Sequence, residues 1–143
     1  MAKLTVEMVT ANGTVLSTEA DFVTAPGIDG DLGVLPNHIP LLTPLRTGEV
    51  MVRNGSDEEH LFVAGGFLEV TPSKVVVLAD AAERVDDIDT ARAEAARKAA
   101  EQALASNAMD ADAAAALERA VFRLKVSELR RRPHHHASRP NQN

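Results

Sequence analysis

Gly30-Asp31-Leu32-Gly33-Val34-Leu35-Pro36-Asn37-His38-Ile39-Pro40-Leu41-Leu42 places two glycines, two prolines and a dense apolar run in one short segment. Glycine on each side of Asp31-Leu32 lets the backbone bend where a side chain would obstruct it. Pro36 and Pro40 fix φ and remove two backbone donors, so the segment is expected to form neither a helix nor a central strand. Yet Leu32, Val34, Leu35, Ile39, Leu41, Leu42 and Leu45 are too apolar for a solvated loop. A stiff apolar segment of this kind packs over a sheet, is held out to a partner, or does both.

The flanking sequence is strand-like. Leu4, Val6 and Met8 fall on one face of Lys3–Thr10, the period of a half-buried strand. Asn12-Gly13 predicts a type I′ hairpin turn, both of whose central positions need positive φ. A second strand is expected through Thr14–Leu16 and Asp21–Ala25. Glu49–Arg53 reads as a strand closed by Asn54-Gly55. His60–Ala64, Phe67–Thr71 and Lys74–Ala79 read as a meander whose last turn is Thr71-Pro72-Ser73. Gly65-Gly66 marks a bulge or a close backbone approach. Short strands with turns this frequent predict an antiparallel β-sandwich or flattened barrel.

The texture changes at Asp86-Asp87-Ile88-Asp89. Asp89 is placed to cap a helix through Ala91–Leu104, rich in alanine and other strong helix formers. Ser106-Asn107 interrupts it, and a second helix is expected from Asp110 to about Arg132, with Leu117, Val121 and Leu124 on one face. The short break predicts an antiparallel two-helix hairpin. Asp110, Asp112 and Glu118 lead the second helix and Lys125, Arg130, Arg131 and Arg132 close it, an order that favours the helix dipole. Alanine buries little surface, so the hairpin should open without breaking a leucine-rich core. The fold class is therefore α+β: a sandwich over residues 1–86, a hairpin over 87–132 and a disordered tail over 133–143.

Composition narrows the function. Residues 1–88 hold 5 Lys and Arg against 14 Asp and Glu, whereas residues 89–143 hold 10 against 7, so the two sections differ in sign. Aromatics make up 3% of the chain, with neither Trp nor Tyr, which leaves few stacking platforms for single-stranded nucleic acid. The absence of cysteine excludes disulfides, thiolate zinc sites and cysteine nucleophiles. No run approaches the ~20 apolar residues of a membrane helix, and Met1-Ala2-Lys3-Leu4 runs straight into strand-like alternation without a secretory signal. There is no Gly-x-x-x-x-Gly-Lys-Ser/Thr segment, so the chain is not a P-loop hydrolase. His134-His135-His136 reads as incidental rather than as a metal site.

Four segments in order resemble the epsilon subunit of bacterial F-type ATP synthases. They are Gly30–Leu41, Gly65-Gly66-Phe67-Leu68-Glu69-Val70, Ala79-Asp80-Ala81-Ala82-Glu83-Arg84 and Ile88-Asp89-Thr90-Ala91-Arg92-Ala93. The resemblance extends to about Arg130. It implies a rotor subunit with no catalytic site or obligatory cofactor, peripheral at the cytoplasmic face of the cell membrane. The sandwich would bind the gamma subunit and rest on the polar loops of the c ring through Asp31, His38 and Leu42. Proton-driven rotation would thereby be coupled to ATP synthesis on the beta subunit. The hairpin would fold on the sandwich or extend along gamma to the alpha/beta head, where Arg123, Lys125 and Arg130 meet an acidic segment of beta and restrain ATP hydrolysis. Family members that sense nucleotide carry Ile/Leu-Asp-x-x-Arg-Ala. This implies an ATP site at Glu83, Ile88, Asp89, Arg92, Ala93, Arg119 and Arg123. An arginine expected midway along the first helix is missing, with Ala99 near its place and Arg97 and Lys98 as imperfect substitutes.

Plainer readings stand beside these. Asp89 serves equally as a helix cap, and Arg92, Arg119 and Arg123 as solvated or salt-bridged surface. The Pro/Gly segment serves equally to cover a sandwich edge. Two other classes fit the pattern: an adaptor whose hairpin dimerises, and a small enzyme built on His38 with nearby carboxylates.

Overall fold

The computed structural model describes the backbone of residues 2–131 and the side chains of residues 2–128. The expected tail, the histidine run and the side chain of Arg130 lie outside these residues. Strand β1 (Leu4–Thr10) buries Leu4, Val6 and Met8 and turns the alternate side chains outward, as a half-buried strand must. Strand β2 (Gly13–Ala20) returns antiparallel to it with Thr10 opposite Gly13, so the turn residues are Ala11-Asn12. This corrects the expected Asn12-Gly13 turn. Gly13 takes φ +120°, but Asn12 stays out of the left-handed region, and its N–H donates to Thr10 Oγ1 at 3.2 Å.

The second predicted strand proves to be two. Strand β2 stays with β1, whereas β3 (Phe22–Gly27) pairs with β4 (Gly30–Val34) and β5 (Leu41–Asn54), so the chain turns a corner at Asp21. The Asp21 carboxylate fixes that corner by accepting from Lys3 Nζ and from the Gly55 N–H. Those two donors hold its pKa below the ordinary carboxylate value.

The Gly/Pro segment is also more strand-like than its prolines suggested. Gly30–Val34 forms the edge strand β4, Pro36 and Pro40 occupy the loop that follows, and Leu41-Leu42 begin β5. The loop is pinned by Asn37, at φ +67°, whose N–H donates to Pro72 O at 2.7 Å.

Strand β6 (Asp57–Thr71) joins what read as two strands, and β7 (Lys74–Ala79) and β8 (Ala82–Arg84) complete an eight-stranded sheet in the order β2-β1-β7-β6-β5-β3-β4, with β8 on β6. All pairs are antiparallel except β1 with β7, which run parallel, so the sandwich departs at one place from the expected antiparallel pattern. The length of β5 and β6 makes the two layers. Leu41–Leu45 pair with Gly66–Val70 beside β7, and Thr47–Asn54 pair with Asp57–Ala64 beside β3 and β8. Gly65 and Gly66, at φ +86° and +124°, lie where β6 passes between layers. The register continues unbroken through them, so they serve a close approach and not a bulge: a Cβ on Gly66 would lie 2.1 Å from Leu78 O. Leu4, Val6, Met8, Leu68, Val75 and Val77 face Val23, Val34, Val50, Val52, Leu61 and Val63 across one core.

Helix α1 (Thr90–Ser106) starts at Asp89, whose carboxylate accepts from the Arg92 N–H at 3.1 Å. Helix α2 (Ala111–Arg131) starts after Asp110, which accepts from the Ala113 N–H at 3.0 Å. Each cap satisfies one of the donors a helix start leaves open. The helices pack as a hairpin through small side chains, with Ala93, Ala100, Ala113 and Ala120 buried. Val121 is 44% exposed, which corrects its expected place on the packed face: the buried line runs through Ala113, Ala120 and Ser127, with Leu117 and Leu124 half-buried beside it.

The hairpin lies folded on the sandwich. Phe62 is fully buried on the outer face of β6 between the inward-facing Leu61 and Val63, and it gathers Val85, Ile88, Phe122 and Val126. That patch is separate from the sandwich core.

Candidate functional site

The seam between hairpin and sandwich holds a polar cleft of about 330 Å³ lined by Glu83, Asp87, Asp89, Arg92, Ala93 and Arg123. Strand β8 sets Glu83 directly opposite Phe62 on β6. The 3-10 turn Val85–Asp87 then carries the chain to Asp89, which begins α1. Helix α2 returns to bring Arg123 over the same spot. Its guanidinium carbon lies 5.1 Å from the centroid of the Phe62 ring. Arg123 Nε lies 2.6 Å from Glu83 Oε1, with both atoms buried and the N–H not aligned on the oxygen. The contact is thus an ion pair seated on an aromatic face. Three carboxylates and two guanidiniums converge here, a mixed site able to bind a donor edge at its acidic side and an anion at its basic side.

Of the residues singled out in the sequence, Glu83, Asp89, Arg92, Ala93 and Arg123 line this cleft. Ile88 is buried below it in the Phe62 patch, and Arg119 is exposed one turn nearer the hairpin tip. Asp89 also caps α1, as its plain reading expects, while lining the cleft. Asp87 and Phe62 were missed. The run Leu61-Phe62-Val63-Ala64 was the available signal for Phe62, since a strand apolar at consecutive positions is covered on both faces.

The other predicted contacts are dispersed. Asp31 is paired with Arg46 at the sheet edge, and His38 Nδ1 lies 2.6 Å from Ile39 O. Leu42 is largely exposed on β5, near the exposed Leu35 and Ile39. No hydrogen bond given for the described residues joins His38 to a carboxylate or a hydroxyl. Lys125 is exposed, with Nζ 5.9 Å from the centroid of the Phe122 ring. A broader groove of about 870 Å³ runs between α2 and strands β3–β5, lined in part by Phe22, Pro26, Met51, Phe122 and Val126.

The chain is thus a sandwich followed by a helical hairpin, with a charged cleft at the seam. Residues 3–85 match the beta-sandwich domain of the ATP synthase delta/epsilon chain, and residues 86–128 match its long alpha-helix domain. The chain belongs to the ATP synthase delta/epsilon chain family. It is 50% identical over 136 residues to the ATP synthase epsilon chain of Dehalococcoides mccartyi, covering 92% of this chain and 97% of that one. It is 47% identical over 140 residues to the ATP synthase epsilon chain of Laribacter hongkongensis, covering 94% and 100%. A chain of the Euglena gracilis mitochondrial ATP synthase, from a structure of its OSCP, F1 and c ring, shares the fold with a TM-score of 0.67 at 21% identity, over 90% of this chain and 79% of that one. No helix among the described residues is long and apolar enough to cross a membrane.

Proposed function

We propose that the chain is a non-catalytic rotor subunit of a proton-translocating ATP synthase, peripheral at the cytoplasmic membrane face. Its sandwich is fixed to gamma and to the c-ring loops, and its hairpin restrains ATP hydrolysis when it extends to the alpha/beta head. The observation that carries this reading is the separation of the two apolar clusters. The sandwich core is complete without the helices, while the hairpin adheres through one small patch around Phe62 and the Glu83–Arg123 ion pair. Such a joint releases the hairpin and leaves the sandwich folded. The stiff apolar stretch around Leu35, Ile39 and Leu42 supplies the outward face for the ring, with Asp31 and His38 beside it.

The same reading makes the seam cleft a regulatory ATP site. Arg92 and Arg123 would take phosphate oxygens, with Arg119 at the outer margin. Glu83 and Asp89 would accept from the adenine amino group or orient the arginines, and Ile88 and Ala93 would back the site. ATP shifts the hairpin toward the folded state only to the extent that it binds that state more tightly. Once extended, Arg123, Lys125 and Arg130 present positive charge to an acidic stretch of beta, and added salt weakens that contact.

Two measurements test this reading. The chain should co-purify with gamma and lower ATP hydrolysis by a reconstituted head, and a chain that ignores gamma is an adaptor of another kind. Titrating the isolated chain with ATP should release heat that falls at least tenfold in apparent affinity in Arg119→Ala/Arg123→Ala. Equal heats from the two proteins remove the nucleotide site and leave the rotor assignment standing.

A further inference from the structure

We propose that the groove between α2 and strands β3–β5 is a docking surface for the chain's own C-terminal segment, residues 132–143. It recognises the two Arg-Pro pairs of that segment. This goes beyond the rotor reading and does not depend on it.

The groove, of about 870 Å³, combines apolar side chains with carboxylates. Phe22 of β3 and Phe122 of α2 each contribute a half-buried ring, and Pro26 and Met51 add to the apolar lining. Asp31 and Glu49 bring their carboxylates to the same place. Arg46 takes one oxygen of Asp31, and His60 faces one oxygen of Glu49. A carboxylate offers about four acceptor positions, so both keep room for a further guanidinium. Arg46 is thus engaged, and Lys125, whose Nζ lies 5.9 Å from the Phe122 ring centroid, is the cation an incoming arginine must avoid. Aromatic rings beside carboxylates suit a basic, proline-containing peptide. The rings receive pyrrolidine faces whose backbone is stiff beforehand, and the carboxylates receive arginine.

The chain supplies such a peptide within reach. Phe122, Lys125 and Val126 bring α2 along the groove, and Arg131 lies only about 8 Å beyond Val126 on the helix axis. Residues 132–143 can span roughly 40 Å when extended, enough to return to the groove. They include Arg132-Pro133 and Arg139-Pro140, and no acidic residue. Their charge opposes that of residues 1–88, which hold 5 Lys and Arg against 14 Asp and Glu. A short tether holds such a segment at an effective concentration in the millimolar range, so individually weak contacts suffice to seat it. With its own tail in place, the groove is closed to other peptides of the same chemistry.

The test uses the full chain, which has no cysteine of its own, carrying a nitroxide spin label at Asn143→Cys. Amide signals of Phe22, Thr24 and Met51 should relax at least about fivefold faster through the label than those of Thr5, Glu7 and Glu19 on the other layer. Reducing the nitroxide should abolish the difference. Arg132→Gln/Arg139→Gln, which lies outside the sandwich and its groove, should lower the enhancement at the groove at least about fivefold. Equal enhancement over both layers overturns the docking, and so does enhancement centred on any other surface. Enhancement at the groove that survives loss of both arginines overturns the proposed recognition. Neither gamma nor nucleotide is present, so failure here is distinct from failure of the rotor reading, which co-purification with gamma tests.

Discussion

Replacing Gly66 by alanine is expected to cost the sandwich about 3 kcal/mol or more, enough to lower the melting temperature of a domain this size by at least about 10 °C. Gly66 sits at φ +124°, a conformation L side chains rarely adopt. Its Cβ would lie 2.1 Å from Leu78 O and 2.8 Å from Ala79 Cα. Neither obstacle is a side chain able to swing aside. Leu78 is held between β6 and β1 by pairing with Phe67 and Val9, so the clash transmits into the middle of the sheet. Gly55→Ala is the informative contrast: at φ +62° with nothing within 4 Å, it carries only the left-handed penalty of about 1 kcal/mol. Urea or thermal unfolding of the two variants reads the difference directly. Similar losses at both positions would show that the crossing of β6 between layers tolerates a side chain.

The second large effect is expected at Phe62. Truncation to alanine should remove about 3–5 kcal/mol, the usual cost of emptying a phenylalanine site. Most of that loss should fall on the hairpin. Phe62 points away from the sandwich core, whereas Leu61 and Val63 point into it and remain. The ring is also the seat of Arg123 and the centre of the patch that receives Val126 and Phe122. In Phe62→Ala, the helical signal in far-UV circular dichroism should melt in a separate, earlier step, while the sheet melts close to its usual temperature. A single transition displaced as a whole would mean that hairpin and sandwich form one cooperative unit.

Much of this architecture could be read from the residues because alternation and capping are local signals. Leu4, Val6 and Met8 declare a strand face, and Asp89 before an alanine run declares a helix start. The failures arose where long-range pairing overrides local preference. Asn12-Gly13 is a good turn dipeptide, but the register of β1 on β2 places Thr10 against Gly13 and moves the turn back one residue. Pro36 and Pro40 do exclude strand at their own positions, yet β4 forms at the edge, where one ladder suffices, and β5 starts immediately after Pro40.

The cleft was legible only in part for a related reason. Arg119 and Arg123 share a helical face by spacing, but distance from the sandwich separates them, and only Arg123 reaches Glu83. That distance is fixed by where α2 docks on Phe62, a contact between residues 60 positions apart that no periodicity reports. Val121 was misplaced because an apolar residue at helical spacing suggests packing, whereas this hairpin closes on alanines. Asp87 was passed over because an acidic residue in a run of aspartates looks like solvated surface until the 3-10 turn presents it to the cleft.

The central claim is that a self-sufficient sandwich carries a hairpin able to let go without it. Amide hydrogen exchange on the intact, ligand-free chain tests this most directly. The account predicts that amides of α1 and α2 exchange through an opening at least about 2 kcal/mol less costly than that of β1, β5, β6 and β7. Helix and central-strand amides that share a single opening free energy would contradict it.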